Sequence, residues 1–373
     1  MKNYYKSQLN KKSICHVEIT TIDYMPRVWR SAEAAKENGY DVTVIGFGED
    51  TKYNSITFRG LKAAKNRFDR VLHTSKQMVK MAAASNAYIV ELHSPELLLY
   101  ISLLRRAEKK IIFNSHEFYY FQLQRREYIP KAFRSIVSRM YQIWEKRICR
   151  KIDYVLYPCT INGKNPFVSY GCKSAKIENY SADIAIPICS REPRTAIYAG
   201  SLSEDRGCTT MVDAFNYIDG KLYLAGAFSS EEFQKFILRR ADQTKVKYLG
   251  ALSREQLFSY YSRVSVGLSL LKKEGQYNEI DNLSTKMYEY MSCGIPVVAT
   301  NMDYAKTINE ECQYGILVDP NNMSEIVKAI STVFSDEELA RRLGENGKRV
   351  VKERFNWNEE KKLLMSIYED MTR

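Results

Sequence analysis

Long apolar runs are missing from this chain of 373 residues. Its most apolar stretches, such as IPVVAT and YIVELH, have the length of a strand and fall far short of the roughly 20 residues that span a bilayer. The opening, MKNYYKSQLNKKSICHV, lacks the apolar centre of a secretory signal, so a cytoplasmic location is expected. Cysteine pairs are lacking too. The eight cysteines are scattered without a Cys-x-x-Cys spacing, which points to buried reduced thiols and away from a disulfide framework or a zinc ribbon. Only four histidines occur, none in a His-Glu-x-x-His arrangement, and no Asp-x-Asp pair is present, so neither a metal nor another cofactor is expected. Low-complexity and disordered tracts are also missing, since the chain is 45% hydrophobic and 27% charged, as a folded globular protein is.

The length exceeds what one hydrophobic core usually organises, which predicts two domains. Charge divides the same way: residues 1–180 hold 31 Lys and Arg against 16 Asp and Glu, and residues 181–373 hold 25 against 28. The basic half calls for an anionic partner, with nucleic acid, anionic lipid headgroups and a phosphorylated acceptor as candidates. Along the chain, SICHVEIT, a loop through TIDYMPR, the helical stripe VWRSAEAAKENG and YDVTVIGFG make a β-α-β unit, with Gly39 at the helix end. NAYIVELH, the helical SPELLLYISLLRR and KKIIFNSHE continue it. In the second half RTAIYAG, GKLYLAGA, KVKYLGAL, VSVGLSLL, IPVVATN and GILVD read as strands between helical segments. Short apolar strands alternating with helices imply an α/β architecture of two doubly wound, Rossmann-like parallel sheets. The expected domains are 1–180, 181–356 and a terminal helix, 357–373, returning to the first. Their seam lies in SADIAIPICSREPR, where periodicity is lost. Ligands of such sheets gather at the carboxyl ends of strands, so a cleft between the domains is the expected site.

Two segments after strands carry the chemistry. In DNLSTKMYEYMSCGIPVVAT, residues 281–300, Ser284 or Thr285 can cap a helix whose start would present N–H groups and a positive dipole end to a diphosphate. Glu289, one turn further in, is placed to accept from ribose hydroxyls. YAGSLSEDRG, residues 198–207, is a strand, a polar loop and the start of a helix, with Arg206 as a cation for phosphate. These segments resemble the nucleotide-binding half of glycosyltransferase family 4, and the resemblance covers essentially the whole chain. It implies the GT-B fold and retaining transfer from a nucleotide-sugar, with UDP expected ahead of GDP. In the family, two glutamates with seven residues between them precede a small-Gly-x-Pro-Val-Val segment. Glu289 matches the second and Asp281 stands where the first would be. Asn282, Ser284, Thr285 and Lys286 fall in the donor loop. In the family's Gly-Arg-Leu-x-x-x-Lys-Gly segment, Gly200 is kept, Ser201 replaces the Arg and Arg206 replaces the Lys. Leu252, in YLGALS, matches the stretch that packs the nucleobase.

In the basic half the resemblance places His93, in HSPELL, beside the reacting sugar, with Ser94 where the family has Asp. His116 and Glu117, in SHEFYY, match a family His-Glu and are expected either to fix their loop or to touch substrate. Arg27, in MPR, is expected to reach a phosphate of acceptor or donor. His93, Asp281 and Arg206 form the expected catalytic set. A front-side displacement, in which the leaving phosphate takes the acceptor proton, suits the lack of an evident nucleophile.

In QLQRREYIPKAFRSIVSRMYQIWEKRICRK, residues 122–151, Phe133, Ile136, Val137, Met140, Tyr141, Trp144 and Ile148 recur at helical spacing among arginines and lysines. Two readings stand: a core helix with a basic outer face, or a helix resting on anionic lipid. FDRVLHTSKQMVKMAAA is a second basic amphipathic stretch. The second reading fits a peripheral enzyme that acts on a lipid-linked saccharide at the inner face of the membrane, in surface polysaccharide assembly. The rivals are a nucleic-acid-binding protein, for which no recognition module is visible, an epimerase or phosphorylase of the same fold, and a non-catalytic homologue in which Asp281, Ser94 and Ser201 mark lost activity.

Overall fold

The computed structural model describes residues 11–22, 25–124, 126, 129–180 and 190–373, and the chain divides into two compact units, 1–179 with 358–373, and 180–357. Most of the expected seam, residues 181–189, lies outside the described residues.

Among the described residues the first unit holds eight strands: β1 (Ser13–Thr21), β2 (Asp41–Phe47), β3 (Thr51–Tyr53), β4 (Ile56–Leu61), β5 (Ile89–Leu92), β6 (Lys110–Asn114), β7 (Tyr154–Tyr157) and β8 (Ser174–Lys176). Their order is β3-β4-β2-β1-β5-β6-β7-β8, and all neighbours are parallel except the antiparallel pair β3 and β4. The second unit holds β9 (Thr195–Ala199), β10 (Lys221–Ala225), β11 (Val246–Gly250), β12 (Val266–Ser269), β13 (Val297–Thr300) and β14 (Gly315–Val318), all parallel, in the order β11-β10-β9-β12-β13-β14. Residues of β9, β12 and β13 are buried throughout, which is why these strands read as unbroken apolar runs. Both sheets reverse their winding next to their first strand, between β1 and β5 and between β9 and β12. Open parallel sheets bind ligands at such switch points; His93 follows β5 and the segment 198–207 leaves β9, while His116 and Glu117 follow β6 and Leu252 follows β11.

Local signals explain the helices that flank these points. Pro26 opens the helix Pro26–Glu37, and Gly39, at φ +82°, ends it. In the second unit Gly207 adopts φ +74°, and a Cβ there would stand 2.0 Å from the Leu270 carbonyl oxygen, so the loop carrying Arg206 is pressed against the exit of β12. SPELLLYISLLRR departs from a plain α-helix. It starts as a 3₁₀ helix, Pro95–Tyr100, and becomes α-helical only at Ile101–Arg106.

The basic helix is corrected more sharply. It runs over Arg134–Cys149 and buries Ser138, Glu145 and Cys149, while Phe133, Ile136, Met140 and Ile143 are exposed. The core-helix reading therefore fails for Phe133, Ile136 and Met140 of the expected stripe, while Val137, Tyr141, Trp144 and Ile148 are half-buried. The reason is the polar anchor on the inner face: Ser138 donates to the Tyr120 carbonyl at 2.8 Å, and Glu145 accepts from Tyr141 at 3.1 Å and Tyr170 at 2.8 Å. The last helix, Trp357–Thr372, joins the first unit, where the Tyr368 hydroxyl donates to Glu91 and Lys361 pairs with Glu37. Among the described residues Cys15, Cys149, Cys172, Cys208, Cys293 and Cys312 are free thiols.

Candidate active site

In the first unit, parallel strands β1 and β5 run side by side with His16 opposite Glu91, so alternate positions send His16 and Glu18, and Glu91 and His93, toward one region. His93, 3% exposed, follows β5 directly. Its Nε2 lies 3.1 Å from His16 Nδ1 and 3.5 Å from Glu91 Oε1, and its Nδ1 lies 2.9 Å from His116 Nε2. Glu91 also accepts from Asn114 Nδ2 at 2.7 Å and from Tyr368. His116 Nδ1 then faces Glu18 Oε2 at 3.7 Å, and Glu18 Oε1 accepts from Ser94 at 2.5 Å.

The proton order follows from this network. His16 Nε2 is buried with no hydrogen-bond partner, so a proton there would be wasted, whereas on Nδ1 it donates to His93 Nε2 at 3.1 Å, with Glu91 Oε1 3.9 Å off. His93 Nε2 then accepts, His93 Nδ1–H donates to His116, and His116 Nδ1–H is left for Glu18 or a ligand. Burial, with the neighbouring imidazoles and Arg27 as smaller causes, holds His93 well below the usual histidine range. Burial and Arg27 do the same to His116. Burial pushes Glu18 up to about 7 despite its bond from Ser94.

Glu18, Arg27, Arg70, His93, His116 and Glu117 line one cavity of about 520 Å³. Arg27 donates to the Ile177 carbonyl at 3.1 Å, and desolvation lowers its guanidinium only to about 10, so it stays charged. Glu117 is exposed and accepts from Gln122. Glu18 Oε2, Arg70 Nε and Asn179 Oδ1, all in residues of this lining, are buried without a hydrogen-bond partner. Such groups suit a polyhydroxylated or phosphorylated ligand that would pair them.

The second unit assembles the other set at the β9/β12 switch point. Gly200 follows β9, and a Cβ there would stand 3.3 Å from Lys286 Cε, so the glycine admits the lysine. Lys286 is buried with its Nζ 4.7 Å above the Tyr198 ring. Burial, then repulsion from Arg206, lowers its ammonium to about 7, with Glu289 opposing. Arg206 stacks over Tyr277 at 4.9 Å and lies 4.0 Å from Asp205. Glu289 accepts from the Tyr261 hydroxyl at 3.1 Å. The helix occupies Thr285–Ser292 with Ser284 at the N-cap position, but Ser284 makes no capping bond. Its hydroxyl instead lies 3.1 Å from that of Ser269, at the end of β12, and Thr285 is exposed in the first turn. The expected side-chain cap is therefore replaced by a tie to the sheet. Asn282 accepts from Tyr288 at 2.8 Å, which makes it a brace for the loop. Asp281 and Ser201 lie in the loops on either side, Ser201 exposed and its carbonyl accepting from Tyr198 at 2.9 Å. Leu252, after β11, packs partly against the core beneath.

Arg206, Lys286 and Glu289 are thus brought into one electrostatic neighbourhood, as are Arg27, His93 and His116 in the first unit. Sequence reasoning missed His16, Glu18, Glu91, Arg70 and Glu145. The fold also brings His16, Glu91 and His93, and Glu18, His93 and His116, into two trios whose ligand-type atoms lie within 4.8 Å of one another, a grouping that no sequence spacing announces.

Comparison with known proteins agrees in both halves. Residues 27–178 match the family described as Glycosyltransferase Family 4, and residues 184–350 the family described as glycosyl transferases group 1. An uncharacterized glycosyltransferase of Methanocaldococcus jannaschii is 24% identical over 184 residues, 47% of this chain and 48% of that relative, so the match spans about half the relative's length. The structure of sucrose-phosphate synthase from Thermosynechococcus elongatus superposes with a TM-score of 0.75 at 18% identity, covering 96% of this chain and 98% of that one. HepE of Anabaena, solved in complex with UDP and glucose, gives 0.72 at 13%, covering 96% and 99%. The fold is GT-B, and with both family matches in register with the two units, the chain belongs to the family 4, group 1 glycosyltransferases.

Proposed function

We propose that the chain moves a sugar, with retention of configuration, from a UDP-sugar held by the second unit to a saccharide acceptor held by the first. The acceptor is carried on a lipid and met at an anionic membrane surface, in assembly of a surface polysaccharide. The observation that carries the donor half is the grouping of Arg206, Lys286 and Glu289 at the β9/β12 switch point. Two cations for a diphosphate and an acid for ribose are the groups a nucleoside diphosphate needs. They take the place of a metal, so no metal or other cofactor is included. The complex of HepE with UDP and glucose supports UDP ahead of GDP. His93 orients the reacting sugar, and nucleic acid is not among the proposed partners.

Calorimetric titration with UDP and GDP in EDTA tests this. UDP is expected to bind without metal, and Glu289→Ala to weaken it by about 10- to 100-fold, the loss of a hydrogen bond to a charged group. Binding of neither nucleotide would favour the non-catalytic homologue, a reading to which Ser201 lends weight because it offers no cation where the family has Arg.

The membrane half rests on the outward stripe Phe133, Ile136, Met140 and Ile143, with Met140 64% exposed, flanked by the exposed Lys131, Arg139, Arg147 and Arg150. Apolar side chains between basic ones suit the boundary between headgroups and acyl chains. Among the described residues no helix is long and apolar enough to cross a membrane. Cosedimentation with phosphatidylglycerol vesicles is expected to fall by about tenfold or more in Ile136→Asp/Met140→Asp and to weaken with salt, since each basic residue near the surface contributes about 1 kcal/mol. Unchanged sedimentation of the double variant would remove this helix from the interface.

A further inference from the structure

Beside the polar cavity of the first unit lies a second, apolar one. It measures about 340 Å³ and is lined by Pro95, Glu96, Leu99, Tyr119, Tyr141 and Trp144. Three of these, Pro95, Glu96 and Tyr119, also line the polar cavity, so the two spaces share a wall. At that junction Arg70 pairs with Glu96 through one terminal nitrogen, while its Nε is buried without a hydrogen-bond partner. On the other side Trp144 of the groove wall stands one helical turn from the exposed Met140. Tyr141 and Trp144 belong to the helix Arg134–Cys149, next to Met140 and Ile143, and the facing Leu99 is 46% exposed.

An apolar channel therefore begins near a membrane-suited surface and ends at a guanidinium that is paired with Glu96 but has an unpartnered Nε, on the edge of a cavity lined by polar side chains. That succession of hydrocarbon, anion and polyhydroxylated groups is the chemistry of a lipid phosphate bearing a sugar. We propose that the groove between Leu99 and Trp144 holds the first part of the acceptor's hydrocarbon chain, with the phosphate next to it at Arg70 and the saccharide in the cavity beyond. This rests on the reading of the chain as a transferase with a lipid-linked acceptor, and adds where the lipid enters. It also assigns a reason for the inverted helix: with Ser138 and Glu145 fastened inward, its apolar residues are free to form both the groove wall and the landing surface. A groove of this volume admits a few isoprene or alkyl units and leaves the rest of the chain in the bilayer.

The chain carries three tryptophans, and one of them, Trp144, lines the groove, so binding can be read without any sugar transfer. Farnesyl phosphate, kept below its micelle concentration, is titrated while tryptophan emission is followed, with inorganic phosphate and farnesol as partial probes. The expected result is a saturable blue shift with farnesyl phosphate that disappears in Trp144→Phe and needs at least tenfold more ligand in Leu99→Glu and in Arg70→Ala. Inorganic phosphate should give no shift, and farnesol a weaker response. A response that survives Leu99→Glu but is lost in Met140→Asp would mean adsorption to the outer stripe and would overturn the proposal, as would no Trp144-dependent shift. Thermal melts of each variant exclude unfolding as the cause. UDP titration of the same proteins separates the two levels: UDP binding without a lipid response rejects the groove alone, and a lipid response without UDP binding rejects the transferase reading instead.

Discussion

Replacing Lys286 by methionine is expected to lower UDP affinity by about 10- to 100-fold at pH 7 and to abolish proton uptake on binding, the range set by one charge-assisted phosphate contact. In the free protein the ammonium is desolvated and sits near Arg206, so its pKa has fallen to about 7. A diphosphate brings negative charge into that space and raises the pKa again. Above pH 7, where the free lysine is mostly neutral, binding must therefore be accompanied by a proton. At pH 8 the uptake should approach about 0.9 proton per UDP, measurable from the dependence of calorimetric enthalpy on the buffer's ionisation heat. Wild-type affinity should fall as pH rises from 7 to 9, and the variant should be flat over that range. Absence of uptake in the wild type would remove Lys286 from the phosphate site. Stability moves the other way. Between about 7 and the unfolded value near 10.4 the unfolded chain binds the extra proton, so folding is favoured by rising pH. Below pH 7 the buried ammonium opposes the fold, and methionine at this position should raise the melting temperature there even as it weakens UDP binding.

His93→Ala is expected to cut kcat by about 100-fold while leaving UDP affinity within about twofold, because orientation is worth that much when a reacting group is misplaced by an ångström. Glu91→Gln should cost about tenfold in kcat through His93 and not by contact with substrate. Its distinguishing mark is a changed nitrogen shift of the His93 ring in NMR, since the carboxylate charge 3.5 Å from His93 Nε2 and 3.9 Å from His16 Nδ1 is gone. Because burial keeps His93 and His116 neutral, turnover between pH 6 and 8 should follow Glu18, near 7, and flatten in Glu18→Gln. An unchanged kcat in His93→Ala would end its assignment to the site.

What could be read from the sequence depended on the kind of signal. The six strands of the second unit were legible because each is a short apolar run cut off by glycine, proline or charge, and a parallel sheet buried on both faces demands such runs. Glu289 was legible through its place in a helix opening after a strand, and Lys286 only through the resemblance of its segment to the family's donor loop. The helix Arg134–Cys149 was legible as amphipathic, yet periodicity reports only that two faces differ. It did not say that Ser138 and Glu145 would face inward, which is decided by Tyr120 and Tyr170, each distant in sequence. Glu91 left a trace, a charged residue inside YIVELH, a strand expected to be buried on both faces, and the same holds for His16 in SICHVEIT. Those two anomalies were the readable sign of the network behind His93. Its third party, Tyr368, was not, because nothing local links a terminal helix to a strand 277 positions earlier.

That long reach has a consequence for how the protein is made. On the ribosome the strands of the first unit emerge early, and domains generally begin to fold in the order of synthesis. Glu91 must then wait, buried or half-buried and without the phenol that completes its hydrogen bonding, until the whole second unit has been translated and the final helix released. The histidine relay is therefore the last part of the first unit to be finished. A nascent chain arrested before Tyr368 should hold a well-formed second sheet and an imperfect polar cavity in the first unit.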